Sequence, residues 1–334
     1  MPVVVVNYTC AEPRDLDEDY DMGLHIASAF IIFFCSLAGA MLPVISSYVA
    51  CLRNNRKTME LMNAFGFGVV ISTAFVHMLP PAFHNLDSPC LGLPYKGLAM
   101  VIVLATIFSM QLLETELVVA MSVPNTSEAT TFEEAPAMLA KDNYDDVGSP
   151  LGFPRHGTTT RHQEVAVSAQ DEAVLRQKFT VAIFEIGVAI HSVLIGVELG
   201  VEDDDAFRML FIALCFHQFF EGVAVGTSAV SAFSGLKTSL GTAFLYALTT
   251  PLGVIVGILA ADSYSDTSLT ALWVRGVLDA IASGILIYTG LIELITYQYT
   301  INTDFHGKST PRRTAHYIFF YMGASVMAII GYYT

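Results

Sequence analysis

Two apolar stretches of the chain each carry a histidine followed by two glycines at one shared spacing. The first is HSVLIGVELG at 191–200 and the second is HQFFEGVAVG at 217–226, so both read His-x4-Gly-x3-Gly. Neutral imidazole combined with carboxylate suits Zn²⁺, Fe²⁺ and similar ions. A bound cation also offsets the cost of burying a carboxylate. We therefore predict a site for a divalent transition metal formed by His191, His217 and Glu221.

Helix geometry places further polar side chains near these ligands. His217 and Glu221 are four residues apart and share one helix face. A competing interpretation is that the side chains only hydrogen-bond between helices. That interpretation would suffice for a single histidine, whereas two matched histidines with an acid on facing helices favour metal binding. Candidates for completing the metal shell or lining the pathway are Ser192, Gln218 and Glu198.

The composition indicates that these stretches lie in a membrane. Of the 334 residues, 54% are hydrophobic and only 14% are Asp, Glu, Lys or Arg, whereas soluble domains are about a quarter charged. A helix needs about 20 apolar residues to cross the hydrocarbon core. We predict an all-α integral membrane protein with eight spans, at 24–50, 62–83, 97–121, 179–200, 206–230, 238–261, 272–296 and 316–334.

The fourth and fifth predicted spans carry the two histidine motifs and run in opposite directions. Their shared motif indicates an inverted repeat, a plan in which transporters hold the substrate near the bilayer midplane. Glycines let helix backbones approach closely. We expect the glycines of the two motifs to bring these two spans together, which would gather the histidines and Glu221 in one small volume.

The positions of Lys and Arg predict the topology. Twelve of the sixteen lie in one set of loops and four in the other, and the basic set is expected to be cytoplasmic. Both termini are then extracellular. The predicted regions are an extracellular segment 1–23, transmembrane helices one to three at 24–121, a cytoplasmic loop 122–178, and helices four to eight at 179–334.

Two features agree with an extracellular N-terminus. Asn7-Tyr8-Thr9 is a glycosylation sequon, although the sequence leaves open whether Asn7 is glycosylated. Cys10 and Cys90 are the two cysteines predicted to lie outside the bilayer on that oxidising face. A disulfide between them is a hypothesis.

The cytoplasmic loop 122–178 is rich in Thr, Glu, Asp, Ser and Pro and lacks apolar periodicity. Such a composition predicts disorder. The loop contains His156 and His162, and two interpretations of this pair stay open. They capture metal on the cytoplasmic side, or they are solvated histidines of a linker.

His77 lies in FVHMLPP at 75–81, near the outer end of the second predicted span. Either it is a ligand or pathway residue on the access side, or it is a helix-end histidine held by backbone. Pro80 and Pro81 are expected to end or kink the helix.

The two histidine motifs also carry a resemblance. HSVxIG at 191–196 followed by HQFxEG at 217–222 resembles the paired signature of the ZIP (Zrt/Irt-like) metal transporters, especially the branch of plant and fungal zinc and iron carriers. Three segments are similar to the second, sixth and seventh spans of that branch, namely FVHMLP at 75–80, TTPLG at 249–253 and SGILIY at 283–288. The resemblance covers nearly the whole chain.

The resemblance implies uptake of Zn²⁺, Fe²⁺ or Mn²⁺ into the cytoplasm through the three ligands named above. It also implies an elevator-like movement of the bundle that holds the site, and a homodimer. Many family members carry acids where this chain has Ile195, Gln218 and Thr250. We therefore predict one main metal site.

Together these observations favour a secondary or facilitative transporter. The formal charge of −15 has the wrong sign for nucleic-acid binding, and the sequence has no GxxxxGK[ST] motif for ATP. The alternatives are a membrane metalloenzyme of di-iron oxidase type and a metal-sensing receptor. No catalytic residue is expected, and no cofactor beyond the transported ion. The expected location is the plasma membrane, with an organellar membrane as the alternative.

Overall fold

The structure is a computed structural model, and it describes residues 10, 20–48, 56–122, 158–202, 204–233, 235–261, 265 and 267–332. Every secondary-structure element in these residues is helical. The α-helices are α1 Met22–Tyr48, α2 Arg56–Ser72, α3 Leu79–Leu86, α4 Leu98–Ser122, α5 Thr158–Val201, α6 Asp204–Ala232, α7 Leu236–Ala260, α8 Leu269–Tyr288, α9 Thr303–His306 and α10 Thr310–Ile330. A π-helical segment, Thr73–Met78, joins α2 to α3, and a second, Thr289–Thr300, follows α8.

The chain divides into two compact units. The larger unit consists of residues 1–112 and 177–334 and contains both histidine motifs. The smaller unit consists of residues 113–176, which include the end of α4 and the first part of α5. All contacts described below lie within the larger unit.

Seven helical stretches among the described residues are long and apolar enough to cross a bilayer. They match the first seven predicted spans, with α2, the π-helical segment and α3 forming the second. The eighth predicted span corresponds in position to α10, which is not one of the seven. The mean hydropathy of α10 is lowered mainly by the polar residues in its first half, Arg312, Arg313 and His316. An all-helical membrane protein is therefore established, and the eighth crossing stays a proposal.

The loop prediction was wrong for part of its length. Residues 158–178, which we expected to be disordered, form the first turns of α5. The segment contains a run with strong helix formers, AQDEAVLRQK at 169–178, and it continues without interruption into the membrane helix. Residues 123–157, including His156, lie outside the described residues. His162 lies on α5 where only the backbone is described.

The glycines of the first histidine motif pack α5 against α7 and not against α6. A Cβ built on Gly196 would lie 3.0 Å from the Cα of Gly253, and one on Gly200 would lie 2.8 Å from the Cα of Gly257. The glycines of α7 are spaced four residues apart, as are those of α5. The two helices therefore meet through paired small residues, which permits backbone contact.

The glycines of the second motif pack α6 against α1. A Cβ built on Gly222 would lie 2.8 Å from the backbone nitrogen of Ala40, and one on Gly39 would overlap the carbonyl oxygen of Phe219. The expectation that these glycines join the fourth and fifth spans was therefore wrong. A stripe of small residues permits close approach by any helix, and it does not specify which helix that is.

Segments predicted to be extracellular meet at one end of the helices. Cys10 and Cys90 form a disulfide, with their Cα atoms 5.6 Å apart. The hydroxyl of Tyr20 donates to the carbonyl of Gly200 at 2.7 Å, and Nε2 of His25 lies 3.1 Å from the carbonyl oxygen of Glu202. The segment before α1, the α3–α4 connection and the end of α5 thus lie on the same side.

Segments predicted to be cytoplasmic meet at the opposite end of α2. Glu60 near the start of α2 accepts from Lys308 at 2.9 Å and from Arg312 at 3.2 Å, and Nε2 of His316 lies 3.4 Å from the same oxygen. Because Gly331 at the other end of α10 packs against His77, just beyond the end of α2, α10 lies parallel to α2 along most of its length.

A substitution in α7 tests the α5–α7 contact. We expect Gly253→Val to lower the unfolding temperature of the detergent-purified protein, because its side chain would overlap the carbonyl oxygen of Val193. Overpacking of this kind costs about 1–3 kcal/mol. The matched control is Gly241→Ala on the same helix, where a Cβ would meet nothing within 4 Å. Equal unfolding temperatures for the two variants would contradict the packing described here.

Thiol counting tests the disulfide. Under denaturing conditions, reduction should expose two further thiols to a maleimide–polyethylene glycol reagent, seen as added mass on a gel, because Cys10 and Cys90 are bonded. In Cys90→Ser, Cys10 should react before reduction. A wild-type chain that labels identically before and after reduction would rule the bond out.

Candidate metal centre

The structure brings the three predicted ligands together between α5 and α6. One ligand atom from each of His191, His217 and Glu221 can be chosen such that all three atoms lie within 4.8 Å of one another. Nε2 of His217 lies 3.8 Å from Oε2 of Glu221, and the rings of His191 and His217 have centroids 5.4 Å apart. His217 and Glu221 are fully buried and His191 nearly so. This is the only such group of three or more His, Cys, Asp or Glu residues among the described positions.

Several of the ligand atoms lack a hydrogen-bond partner among the described residues. Nε2 of His191, both ring nitrogens of His217 and Oε1 of Glu221 are buried without a hydrogen bond among the described residues. Burying polar groups without partners is costly, and more so for a carboxylate. Several such atoms facing one small volume therefore fit a site whose missing partner is a cation.

Gln218 follows His217 in the sequence, but its side-chain amide contacts two other helices. Its Nε2 donates to the hydroxyl of Thr250 on α7 and lies 3.5 Å from Oγ of Ser36 on α1. All three side chains are fully buried. Gln218 thus connects α6 to α1 and to α7. Its Oε1 is buried without a hydrogen-bond partner in the described chain.

Tyr246 of α7 is the residue that the sequence did not reveal. Its hydroxyl donates to the carbonyl of Gln218 at 2.9 Å and lies 3.5 Å from Oε2 of Glu221. The side chain is buried. The only signal in the sequence is its position one helical turn before Thr250, which places both residues on one face of α7.

His77 lies beside the ligand group and not at a helix end. Its ring centroid is 4.9 Å from that of His217, and neither ring nitrogen has a hydrogen-bond partner among the described residues. The residue belongs to the π-helical segment Thr73–Met78, and π-helical turns within helices often occur at functional sites. Oγ of Ser283 on α8 donates to the carbonyl of Ala74 at 3.2 Å and fixes this segment.

The two other candidate residues have different surroundings. Ser192 is fully buried next to His191. Glu198 is two helical turns away from His191 and binds Arg275 of α8, with Oε1 2.9 Å from the guanidinium Nη2. Glu198 is therefore separate from the ligand group.

A cavity of about 580 Å³ opens at the end of the molecule that holds the disulfide. Pro81, one turn beyond His77, and Glu198 both line it. The charged and ionisable residues that line it are His84, Asp87, Lys96, Glu198, Glu202 and Arg275. The cavity thus lies on the predicted extracellular side of the buried ligands.

Comparison with known proteins gives consistent matches. The family model described as ZIP Zinc transporter matches residues 22–331. Zinc transporter 9 of Oryza sativa subsp. japonica is 32% identical over 311 residues, which are 86% of this chain and 84% of that protein. Fe(2+) transport protein 2 of Arabidopsis thaliana is 31% identical over 285 residues, covering 83% and 78%. Zinc-regulated transporter 1 of Candida albicans is 28% identical over 326 residues, covering 97% of this chain and 64% of that protein.

The contact between Tyr246 and Glu221 can be tested by binding. We expect Tyr246→Phe to weaken Zn²⁺ binding by about 10-fold or more, since groups that orient a metal ligand typically have effects of this size. Isothermal titration calorimetry on the purified protein measures the change. Tyr321→Phe is the matched control, because Tyr321 is exposed on α10. Unchanged affinity in Tyr246→Phe would show that the hydroxyl does not orient the carboxylate.

Proposed function

The chain belongs to the ZIP family of zinc transporters, and on that premise we propose that it imports Zn²⁺ or Fe²⁺ through a site formed by His191, His217 and Glu221. It is a transporter and not an enzyme, and it is a multi-pass membrane protein. The observation that carries the proposal is the convergence of these three buried side chains, several of whose ligand atoms lack a hydrogen-bond partner among the described residues.

The geometry of the ligand group supports metal binding after a small contraction. In a tetrahedral zinc site with bonds of about 2.0–2.2 Å, neighbouring ligand atoms are about 3.4 Å apart. Nε2 of His217 and Oε2 of Glu221 are 3.8 Å apart, and one ligand atom from each of the three residues lies within 4.8 Å of the others. We propose that side-chain torsions bring the three ligand atoms closer together around a bound ion.

One main site agrees with the polar residues around the ligands. Gln218 and Thr250 bind each other, so these two positions are occupied by a neutral hydrogen bond. His77 and Ser192 also lie next to the ligands, and we propose them as residues that complete the shell or line the pathway. Metal identity is part of the proposal, because imidazole and carboxylate serve Zn²⁺, Fe²⁺ and Mn²⁺ alike.

An inverted repeat of eight spans is also proposed. The packing of α5 against α7 and of α6 against α1 supports it. In each histidine motif the two glycines at equivalent positions contact a neighbouring helix, α7 for the first motif and α1 for the second. The second and seventh spans each contain a π-helical segment. The parallel packing of α10 along the second span supports an eighth crossing in the same direction. An even number of crossings with an outer N-terminus puts both termini outside.

The disulfide supports a non-cytosolic location of the segment before α1, because disulfides persist in oxidising compartments. This fits the plasma membrane, with the cavity facing the exterior. A homodimer and elevator-like movement of the site are proposed on the family resemblance. Metal capture by His156 and His162 is likewise proposed on the sequence.

The site is tested by uptake of radioactive zinc and ferrous iron in cells that express the chain. We expect His217→Ala and Glu221→Gln to reduce uptake to the level of cells without the protein, since each removes a buried ligand. His306→Ala is the control, because His306 is exposed and bonds only the carbonyl of Tyr299 among the contacts described. Uptake is scaled to surface protein measured by biotinylation.

Normal uptake by a His191→Ala, Glu221→Ala double variant at wild-type surface level would contradict the proposed site. Competition between the two metals in the same assay identifies the preferred ion.

A further inference from the structure

Three rows of polar side chains lead from the outer cavity toward the metal ligands. Glu202, directly after α5, and Glu198 on α5 line the cavity, and His191 on the same helix belongs to the ligand group. On α3 and the π-helical segment before it, the row runs from His84 to His77. Each of these two rows therefore extends from the cavity lining to a residue of the ligand group or beside it.

The third row lies on α8 and consists of residues four apart. Arg275 lines the cavity, Asp279 is one turn deeper, and Ser283 bonds the π-helical segment that contains His77. Asp279 is 5% exposed, and it interacts electrostatically with both Arg275 and Glu198. A carboxylate so deeply buried is costly without a compensating charge.

Arg275 is the cation at the point where these rows converge. Its guanidinium lies 2.9 Å from Glu198 on the helix that carries His191, and the arginine side chain is 18% exposed. The pair therefore joins the site-bearing helix α5 to α8, and both of its residues line the cavity. An ion that follows the rows from the cavity to the ligands would pass this pair.

We propose that Arg275 is a tethered counter-ion that occupies the access carboxylates Glu198 and Asp279 until an incoming divalent metal displaces it. The proposal rests on the proposed function and adds a specificity-determining residue to it. A guanidinium is permanently charged, so it lowers the net negative charge of the empty route. An ion that binds there only through Glu198 and Asp279 must compete with the guanidinium for them.

The consequence for selectivity follows from ligand chemistry. Ca²⁺ prefers sites made only of oxygen ligands, and bare Glu198 and Asp279 would offer such ligands. With Arg275 in place, an ion gains from displacing it only if it proceeds to the imidazoles beyond. Zn²⁺ and Fe²⁺ bind imidazole well, and Ca²⁺ does not.

The test is zinc uptake by cells expressing Arg275→Gln, measured over a range of zinc concentrations with and without millimolar Ca²⁺. We expect KM for zinc to fall by about three- to tenfold, as removal of one partly screened positive charge predicts. We also expect Ca²⁺ to inhibit this variant and not the wild type. Arg275→Lys should restore Ca²⁺ resistance because it keeps the positive charge.

Two further variants separate the access charge from general effects. In Arg275→Gln combined with Glu198→Gln, Ca²⁺ inhibition should decrease, because one attracting carboxylate has been removed. Lys96→Gln is the matched control, since the Lys96–Asp87 pair at 3.3 Å lines the same cavity without lying on a row that leads to the ligands. It should keep the wild-type KM and Ca²⁺ resistance.

Arg275→Gln with wild-type KM and no Ca²⁺ inhibition would overturn the proposal. Should that variant fail to reach the cell surface, Glu198→Gln tests the proposal instead. We expect Glu198→Gln to raise KM for zinc, because the guanidinium then repels the incoming ion. An unchanged KM overturns the proposal.

If Glu221→Gln abolishes uptake while the Arg275 variants behave as wild type, only the counter-ion role fails. If Glu221→Gln also transports normally, the proposed metal site itself fails.

Discussion

The structure depends on one constraint, the burial of two imidazoles and a carboxylate at a depth where water is scarce. In hydrocarbon each polar group must find a partner within the protein, because the bilayer offers none. His191, His217 and Glu221 leave several ligand atoms without such partners among the described residues. A dehydrated divalent cation would bind one atom of each of these three side chains, so the arrangement is less costly while a metal is bound.

The rest of the fold keeps this group assembled by backbone contact. The site helices α5 and α6 each press a pair of glycines against a neighbour, α7 for one and α1 for the other. Neighbouring helices also supply the polar groups around the ligands, with Tyr246 and Thr250 from α7 and Ser36 from α1. Packing without bulky side chains makes these four helices a compact bundle. Such a bundle suits a mechanism in which the site moves as a unit.

Local pattern was enough to identify the ligand-bearing helices, because histidine and glutamate are rare in apolar stretches and their spacing fixes which face they share. The first seven spans followed from hydrophobic length in the same way. Pattern could not identify the helix that each glycine stripe contacts, because that choice depends on the whole bundle. The same limit explains why Tyr246 was missed and why the ring of His77, far away in sequence, was not placed beside His217. Residues 158–178 were misjudged because a polar composition does not exclude a helix that continues a membrane span.

The central claim is that these three residues coordinate the transported ion directly. X-ray absorption spectroscopy at the zinc edge, on purified protein loaded with one equivalent of Zn²⁺, reports the atoms bound to the metal. The account predicts nitrogen and oxygen ligands at about 2.0–2.1 Å, with the outer-shell scattering of two imidazoles, and loss of one imidazole in His217→Ala. A spectrum without imidazole scattering, or one unchanged by that substitution, would contradict the account.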